Sequence, residues 1–415
     1  MSEIFREKAL SWLLAIVVIL STLAISHGDT TLAPSGITKM IPVLNYLLFG
    51  MMMFLVNWKQ ELSLKLFLKI LLALIWFMFT NFNIAPGTAS SGMLAFLQMF
   101  AFAFCEDSVL LKAISYFRKY IVFISCIGIL ACLDFFILHI IPHTIVHYYS
   151  GTVSWYVNYY LSYILWYEGG IFRLCGTFNE PGIYGVTIAL LLIMERFNFK
   201  KPSNVILLIA ACLTFSMASF SLLIIAGILY AFKDVKYMLA AITIVVAAMM
   251  ILPQIENKNV QHLVSRFDFN SSSGKMKGDN RRTSAFQVVE RKFDESNHKL
   301  LGMGTGYLNQ QAIGSNSSYK KVIIEWGYLG FALTALLFFF SSALTTMGDK
   351  NAIIFWVCAA LTLYSRNQVY TVCELFLMYG GGTLDTCLQA CSKLRLKIPF
   401  GGIRGAYHFC LTSKN

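Results

Sequence analysis

Residues 119–141 read KYIVFISCIGILACLDFFILHII, and this stretch decides the fold. After Lys119 at its edge, Asp134 is the one acidic or basic side chain in the run, apart from the histidine at 139. A bilayer core is about 30 Å thick, and a helix needs about 20 apolar residues to cross it. Lipid offers the backbone no hydrogen bonds, and a helix satisfies its own. The stretch therefore predicts a transmembrane helix.

The composition extends this prediction to the whole chain. Hydrophobic residues make up 57% of the 415 residues and charged residues 13%, and the mean hydropathy is +0.65. A soluble domain of this length carries roughly a quarter charged residues. We therefore expect an all-α, polytopic integral membrane protein with about 11–12 transmembrane helices.

Apolar runs bounded by Lys, Arg, Pro, Gly or Asn mark the expected spans. They cover residues 9–26, 40–57, 64–84, 91–105, 119–141, 183–195, 203–216, 219–232, 237–253, 322–344, 351–365 and 368–384. The expected membrane domain is 1–392, with two large outer loops at about 142–182 and 254–321, and 393–415 form a basic cytoplasmic tail.

Lys and Arg in short loops favour the cytoplasmic side, which sets the orientation. With the N-terminus inside, 18 of them fall in the cytoplasmic segments and tail. Outside the long loop 254–321, the outer segments carry Lys39, Arg173 and Arg366. The long loop holds eleven, but a loop beyond roughly 60 residues is translocated largely regardless of charge. The net charge of +12 therefore reflects topology and lipid contact, and no nucleic-acid partner is expected.

Motifs for metals and nucleotides are missing from the sequence. Most of the ten cysteines lie in or beside apolar runs, there is no CxxC, and no His/Cys cluster has zinc spacing. Gly302, Gly304 and Gly306 do not form a dinucleotide fingerprint, because no parallel-sheet pattern surrounds them. We expect neither a metal nor a cofactor.

The first outer loop is rich in Tyr and Trp and ends in the segment from Arg173 to Gly185. Such aromatics fit an interfacial belt or an amphipathic helix, and alternatively a platform that stacks on sugar faces. Arg173 and Glu180 stand where the loop enters the next helix. They are candidate catalytic residues or, alternatively, a structural pair that caps this helix.

The second outer loop is rich in arginine. Guanidinium groups beside a membrane suit a phosphate-bearing lipid, because they pair bidentately with phosphate. The candidate residues are Arg266, Arg281, Arg282, Arg291, His298, Gly302 and Asn316. The loop leads into Glu325-Trp326-Gly327-Tyr328-Leu329-Gly330.

Four segments together resemble a known family. The segment from Arg173 to Gly185 is similar to R-x-x-G-x-F-x-E-P-x-x-x-G, and 213–216 are similar to an L-T-x-S turn. Arg291 and Gly302 have R-x10-G spacing, and 325–330 match E-x-G-x-x-G. In order and placement these segments resemble the bacterial O-antigen polymerases, within the group that includes the O-antigen ligases.

The chain also departs from the family pattern. Met217 stands where an Arg often follows the L-T-x-S serine, and Arg173 and Gly185 are separated by eleven residues rather than ten. Ligases commonly carry a His before the Asn that leads to the next helix, and Ser315 occupies that position here.

The resemblance implies a metal-independent glycosyltransferase of the bacterial inner membrane, with a cytoplasmic N-terminus. Its substrate would be an oligosaccharide on undecaprenyl pyrophosphate, and a chain-length determinant protein would be a further partner. Arg173 and Arg291 would stabilise the leaving pyrophosphate, and Glu180 or His298 would assist the acceptor hydroxyl. The expected substrate-binding residues are Arg266, Arg281, Arg282, Gly302, Asn316 and Arg366.

Two other functions stay open at this point. An O-antigen ligase would use the same donor, whereas a polysaccharide or lipid transporter (flippase) would carry charges inside the bundle. Lys69, Asp134 and Glu374 are the candidates for such buried charges. A purely structural membrane subunit is a third possibility, and the arginine-rich loop argues against it.

Overall fold

The fold is that of a computed structural model and is mostly helical. It describes residues 3–23, 35–56, 63–82, 85, 92–149, 153–167, 171–231, 254, 256–265, 269–270, 275–276, 284–311, 319–345, 352–365, 373 and 375–380. The helices before the first outer loop are α1 (Glu3–Thr22), α2 (Ser35–Leu55), α3 (Leu64–Phe82), α4 (Gly92–Phe104) and α5 (Asp107–Leu133), which continues into a π-helical turn (Asp134–Leu138). Those after it are α6 (Pro181–Met194), α7 (Pro202–Leu213), α8 (Met217–Ala231), α9 (Lys258–Val264), α10 (Ser284–Glu295), α11 (Tyr307–Gln310), α12 (Tyr319–Thr345) and α13 (Ala352–Ser365).

Most predicted spans coincide with these helices within a few residues, but α5 corrects the sequence prediction. It begins at Asp107, so that Lys112 and Arg118, which lie between the predicted spans 91–105 and 119–141, are helical. Both cations have carboxylate partners, Lys112 with Glu7 at 2.9 Å and Arg118 with Glu195 at 2.9 Å. The helix can therefore continue through charged residues. The predicted span 237–253 lies outside the described residues, and of 368–384 only 373 and 375–380 are described.

The segment Asp107–Leu138 is long and apolar enough to cross a membrane. It is the one helix in the described part of the chain that meets both conditions. Six shorter apolar helical segments of 10–17 residues accompany it. They are Val43–Leu55, Leu66–Phe82, Pro181–Met194, Pro202–Leu213, Met217–Ala231 and Ile353–Thr362.

Helix α6 lies at the centre of the bundle, and every one of its residues is buried. It packs against α7, α8 and α13, while α5 packs against α1 and α7, and α3 lies between α4 and α12. The short helical segment 375–380 inserts Phe376 between Phe102 of α4 and Phe117 of α5. One continuous apolar core results.

The first outer loop forms an antiparallel sheet. Strands β1 (Thr144–Tyr149), β2 (Val153–Asn158), β3 (Tyr163–Tyr167) and β4 (Ile171–Gly176) pair in sequence order. The amphipathic-helix prediction is wrong, because these β-branched and aromatic residues pair across strands, as in the Trp155–Trp166 contact. Tyr159 donates to Asp134 Oδ2 at 2.9 Å, which ties the sheet to the end of α5.

Candidate functional site

Arg173 of β4 is held by the end of a helix. Its side chain is buried, and Nε donates to the carbonyl oxygen of Thr214 at 2.9 Å. Thr214 is the C-cap of α7, where carbonyl groups lack partners inside the helix and a cation is stabilised by the helix dipole. The sequence predicted neither this contact nor the meeting of the Arg173 segment with the L-T-x-S turn.

Gly185 allows the Arg173–Gly185 segment and the L-T-x-S turn to pack closely. A Cβ at Gly185 would lie 2.8 Å from Thr214 Oγ1 and 2.9 Å from Ser219 Cβ. The Ser219 hydroxyl donates to the Gly185 carbonyl at 2.9 Å. The start of α6 therefore packs on the α7–α8 turn at a separation that a larger residue would not allow.

Arg173 and Glu180 both act on the buried thiol of Cys175. Burial raises the pKa of Cys175 to about 12, while the Arg173 charge lowers this pKa and the Glu180 charge raises it. Glu180 is half-buried at the N-cap of α6, and its side chain makes no capping hydrogen bond to that helix. Of the alternative prediction, an Arg173–Glu180 pair that caps α6, the capping hydrogen bond from the Glu180 side chain is thus wrong.

Asn259 joins the second outer loop to the sheet. Its buried Oδ1 accepts the backbone N–H of Phe172 at 2.9 Å, and α9 packs against β4. The first described helix of the second loop therefore lies beside Arg173. Both loops consequently stand on the same side of the bundle.

Gly302 and Gly327 interlock at the other end of the second loop. The backbone of α12 is broken at Gly327 (φ 68°, ψ −176°), a conformation open essentially to glycine alone. The predicted span 322–344 did not include this break. It frees backbone N–H and C=O groups, which form hydrogen bonds with residues 299–304. Four hydrogen bonds join the segments: Met303 N to Ile324 O (2.8 Å), Gly304 N to Glu325 O (2.9 Å), Tyr328 N to Lys299 O (2.9 Å) and Leu329 N to Leu300 O (3.1 Å).

The two glycines face each other so closely that neither position has room for a side chain. A Cβ at Gly302, whose φ is +81°, would lie 2.4 Å from the Glu325 carbonyl oxygen. A Cβ at Gly327 would lie 2.2 Å from the Leu300 carbonyl oxygen. The R-x10-G and E-x-G-x-x-G segments therefore meet through their glycines.

Thr305 connects this interlock to α3. The Trp326 indole donates to Thr305 Oγ1 at 2.9 Å, and Thr305 Oγ1 donates to the Thr80 carbonyl at 2.7 Å. The backbone N–H of Ala85 reaches the Thr305 carbonyl at 3.1 Å. The second loop is thus fixed to two helices of the bundle.

Glu325 is a buried carboxylate that we did not predict as a site residue. Its side chain is 7% exposed, and Oε1 has no hydrogen-bond partner among the residues that the structure describes. It precedes the break of α12 at Gly327 by two residues. The charge of Lys321 and the backbone amides of Leu308 and Gly306 act on its carboxylate. The signal in the sequence that could have identified Glu325 was a single acidic residue near the start of an apolar run.

Arg291 and His298 lie on the surface of the second loop. Helix α10 buries Phe286, Val289 and Phe293, and turns Arg291 toward solvent. His298 follows α10 and is also exposed. Arg291 and Arg173 therefore belong to separately packed units. The Arg291 side chain is exposed, and the Arg173 side chain is buried.

Several predicted residues lie outside the described part of the chain. These are Arg266, Arg281, Arg282, Asn316, Arg366 and Glu374. Among the described residues, no three His, Cys, Asp or Glu side chains are grouped to hold a metal ion.

Asp134 and Lys69, the two transporter candidates that the structure describes, both lie next to groups that interact with their charge. Asp134 accepts the backbone N–H groups of Ile140 at 2.8 Å and Ile141 at 3.0 Å, in addition to the Tyr159 hydroxyl. Lys69 is buried with its ammonium 5.8 Å from the Tyr379 ring centroid. Asp134 therefore has a structural role at the end of α5.

Comparison with known proteins gives no relative. No family model, no curated protein and no solved structure matches this chain.

Proposed function

We propose that this chain is a glycosyltransferase of the bacterial inner membrane that joins undecaprenyl-pyrophosphate-linked repeat units into an O-antigen or capsule-type polysaccharide. One observation carries the proposal. The four segments that resemble the polymerase family meet in pairs, Arg173 with the Thr214 turn and Gly302 with the Glu325–Gly327 segment. Contacts between these segments are what one shared site built from them would require, and they support the proposal in this sense.

The surfaces of the helices support a membrane location. Large apolar side chains stand outward on them, including Phe54 at 90% exposed, Phe82 at 79% and Leu64 at 73%. Soluble monomers rarely expose apolar surface on this scale, whereas lipid covers it without cost. The apolar segment Asp107–Leu138 and the distribution of Lys and Arg point the same way.

The position of the loops suits a lipid-linked substrate. Asn259 brings the second loop to the sheet, and Thr305 fixes the same loop beside the end of α3. A buried cation, exposed cations and a buried carboxylate therefore lie on one side of the bundle. A polyprenyl tail in the bilayer would deliver its pyrophosphate and sugar to that side.

The proposed reaction is a displacement at the anomeric carbon of the donor sugar. The acceptor hydroxyl oxygen forms the new C–O bond, and the bond from the anomeric carbon to phosphate breaks with its electron pair on the leaving undecaprenyl pyrophosphate. Arg173, aligned by the Thr214 carbonyl, and Arg291 stabilise the charge that develops on the pyrophosphate. The remaining requirement is an acceptor for the hydroxyl proton.

The test is the surface polysaccharide of a strain that lacks this chain. We expect lipopolysaccharide or capsule carrying a single repeat and no longer polymer, restored by the full chain. Loss of the single repeat as well would indicate a ligase or a flippase, and an unchanged ladder would overturn the proposal.

A second measurement tests the topology. Reporter fusions near residues 160 and 285 should be periplasmic, and those near 200 and 400 cytoplasmic. A cytoplasmic signal at 285 would contradict the site, because the lipid-linked glycan is expected on the other side of the membrane.

A further inference from the structure

The backbone of Glu325 is fixed by hydrogen bonds, whereas Oε1 of its side chain has no partner among the described residues. Its carbonyl oxygen accepts from Gly304 N, and the neighbouring Ile324 carbonyl accepts from Met303 N. The next side chain, Trp326, is held by Thr305. The backbone that carries the carboxylate therefore cannot move away without breaking the interlock.

Burial of an unpaired polar atom is costly, and such atoms are rare in native structures. Glu325 Oε1 is buried and lacks a partner among the described residues, whereas the backbone carbonyl of the same residue accepts the Gly304 N–H. A donor that arrives with a ligand would satisfy this oxygen. A sugar hydroxyl is such a donor.

Other candidate proton acceptors on this side of the bundle have different surroundings. Glu180 is half-buried, and His298 is exposed. Glu290 of α10 forms an ion pair with Lys320, one turn before Glu325 in α12. Glu325 is the most deeply buried of these four groups.

We propose that Glu325 is the catalytic proton acceptor for the attacking sugar hydroxyl, an inference that rests on the proposed polymerase function. As the acceptor oxygen bonds to the anomeric carbon, its proton moves to Glu325 Oε1, and the electron pair of the breaking bond leaves on undecaprenyl pyrophosphate. Glu325 then returns the proton to water, so that the carboxylate is regenerated. The roles of Arg173 and Arg291 are unchanged.

The electrostatic surroundings support this role. The Lys321 charge and the backbone amides of Leu308 and Gly306 act on the Glu325 carboxylate. A nearby cation and backbone donors favour the ionised form of a carboxyl group, which is the form that accepts a proton.

The experiment compares Glu325→Gln, Glu325→Asp and the matched control Glu290→Gln in the full chain. Each purified protein is reconstituted with a lipid-linked repeat unit, and the polymerisation rate per folded protein is measured against pH. Gln has the shape of Glu and can still accept the backbone N–H groups, but it cannot take the proton. We expect Glu325→Gln to lose roughly 10²–10⁴-fold in rate and to lose the acidic limb of the wild-type pH profile.

The other variants separate catalysis from structure. Glu325→Asp keeps an ionisable group and should retain part of the rate, and Glu290→Gln should stay within a few-fold of wild type. A Gln variant with wild-type rate per folded protein would overturn the inference, whatever its abundance, and would leave the polymerase proposal intact. A wild-type protein that forms no polymer would instead overturn the proposed function.

Discussion

Two regions between the helices, residues 144–176 and 284–311, satisfy their backbone hydrogen bonds in different ways. The first region, the sheet of residues 144–176, satisfies its backbone through its own antiparallel strands. The second region, residues 284–311, has no strand of its own and pairs its backbone with the broken start of α12. The first is thus internally stable, whereas the second depends on the bundle.

The buried charged groups of the two regions also differ in sign and in their hydrogen-bond partners. Arg173 in the first region has a helix carbonyl as a fixed partner, while Glu325 Oε1 beside the second has none among the described residues. A cation held in place suits a developing negative charge, and a carboxylate oxygen without a donor suits proton uptake. In the proposed mechanism Arg173 of the first region therefore acts on the leaving group together with Arg291 of the second, and Glu325 beside the second region acts on the acceptor hydroxyl.

The largest effect is expected from Gly327→Ala, which tests whether the second region depends on the interlock. Alanine must adopt a backbone conformation costing about 1–3 kcal/mol, and its Cβ would also collide with the Leu300 carbonyl oxygen. We expect loss of folded protein from the membrane together with loss of polymer, measured by immunoblot and polysaccharide ladder. Gly227→Ala in α8, where no atom lies within 4 Å of the added Cβ, should leave both unchanged. Normal polymer from Gly327→Ala would show that the interlock is dispensable.

Next comes Arg173→Ala, which removes the buried cation of the first region. Losing one donor to a developing negative charge typically costs about 2–4 kcal/mol, or roughly a hundredfold or more in rate. Loss of the partner of the Thr214 carbonyl should also lower stability by about 1–3 kcal/mol. Lys should restore the rate only in part, because it lacks the planar fork. Rate and abundance are measured together, and a wild-type rate per folded protein would remove Arg173 from the mechanism.

Arg291→Ala should separate function from stability, because Arg291 is exposed. A surface change of this kind alters stability by about 0.5 kcal/mol or less. A lost hydrogen bond to a charged group costs about 1.5–3 kcal/mol, which corresponds to roughly a 10- to 100-fold lower rate. The control is Lys292→Ala, the next exposed residue of α10, which should stay within a few-fold of wild type. Equal rates for both variants would argue against a specific Arg291 contact.

The smallest effect concerns the stability of Glu325→Gln. Burying an unsatisfied charged oxygen is costly, and Gln replaces it by a neutral group of the same shape. Thermal unfolding of the purified proteins at neutral pH should therefore show a variant that is slower but no less stable. A less stable variant would contradict the buried-carboxylate description.

The sequence predicted the helices well because apolar runs of this length have few alternatives. It missed the start of α5, because Lys112 and Arg118 resembled loop charges until their partners Glu7 and Glu195 were known. It also missed the sheet, whose strands are five or six residues long and rich in the aromatics that equally suit a membrane interface.

The site was harder to predict, because its contacts join segments that are distant along the chain. Arg173 and Gly302 were selected from motifs, but nothing in their spacing pairs them with Thr214 and Gly327. Glu325 was visible only as one letter of a motif. Its burial follows from the break in α12, which depends on the loop that packs into it.

The complete burial of α6 has a consequence for the order of assembly. Its neighbour α13 follows it by a long stretch of chain, so in the proposed membrane setting the face that α13 covers would meet lipid before α13 is inserted. No residue of α6 carries a charge, and exchanging lipid for protein on that face would therefore remove no charged group from a favourable setting. In this setting the central helix would stay partly exposed to lipid until α13 packs on it.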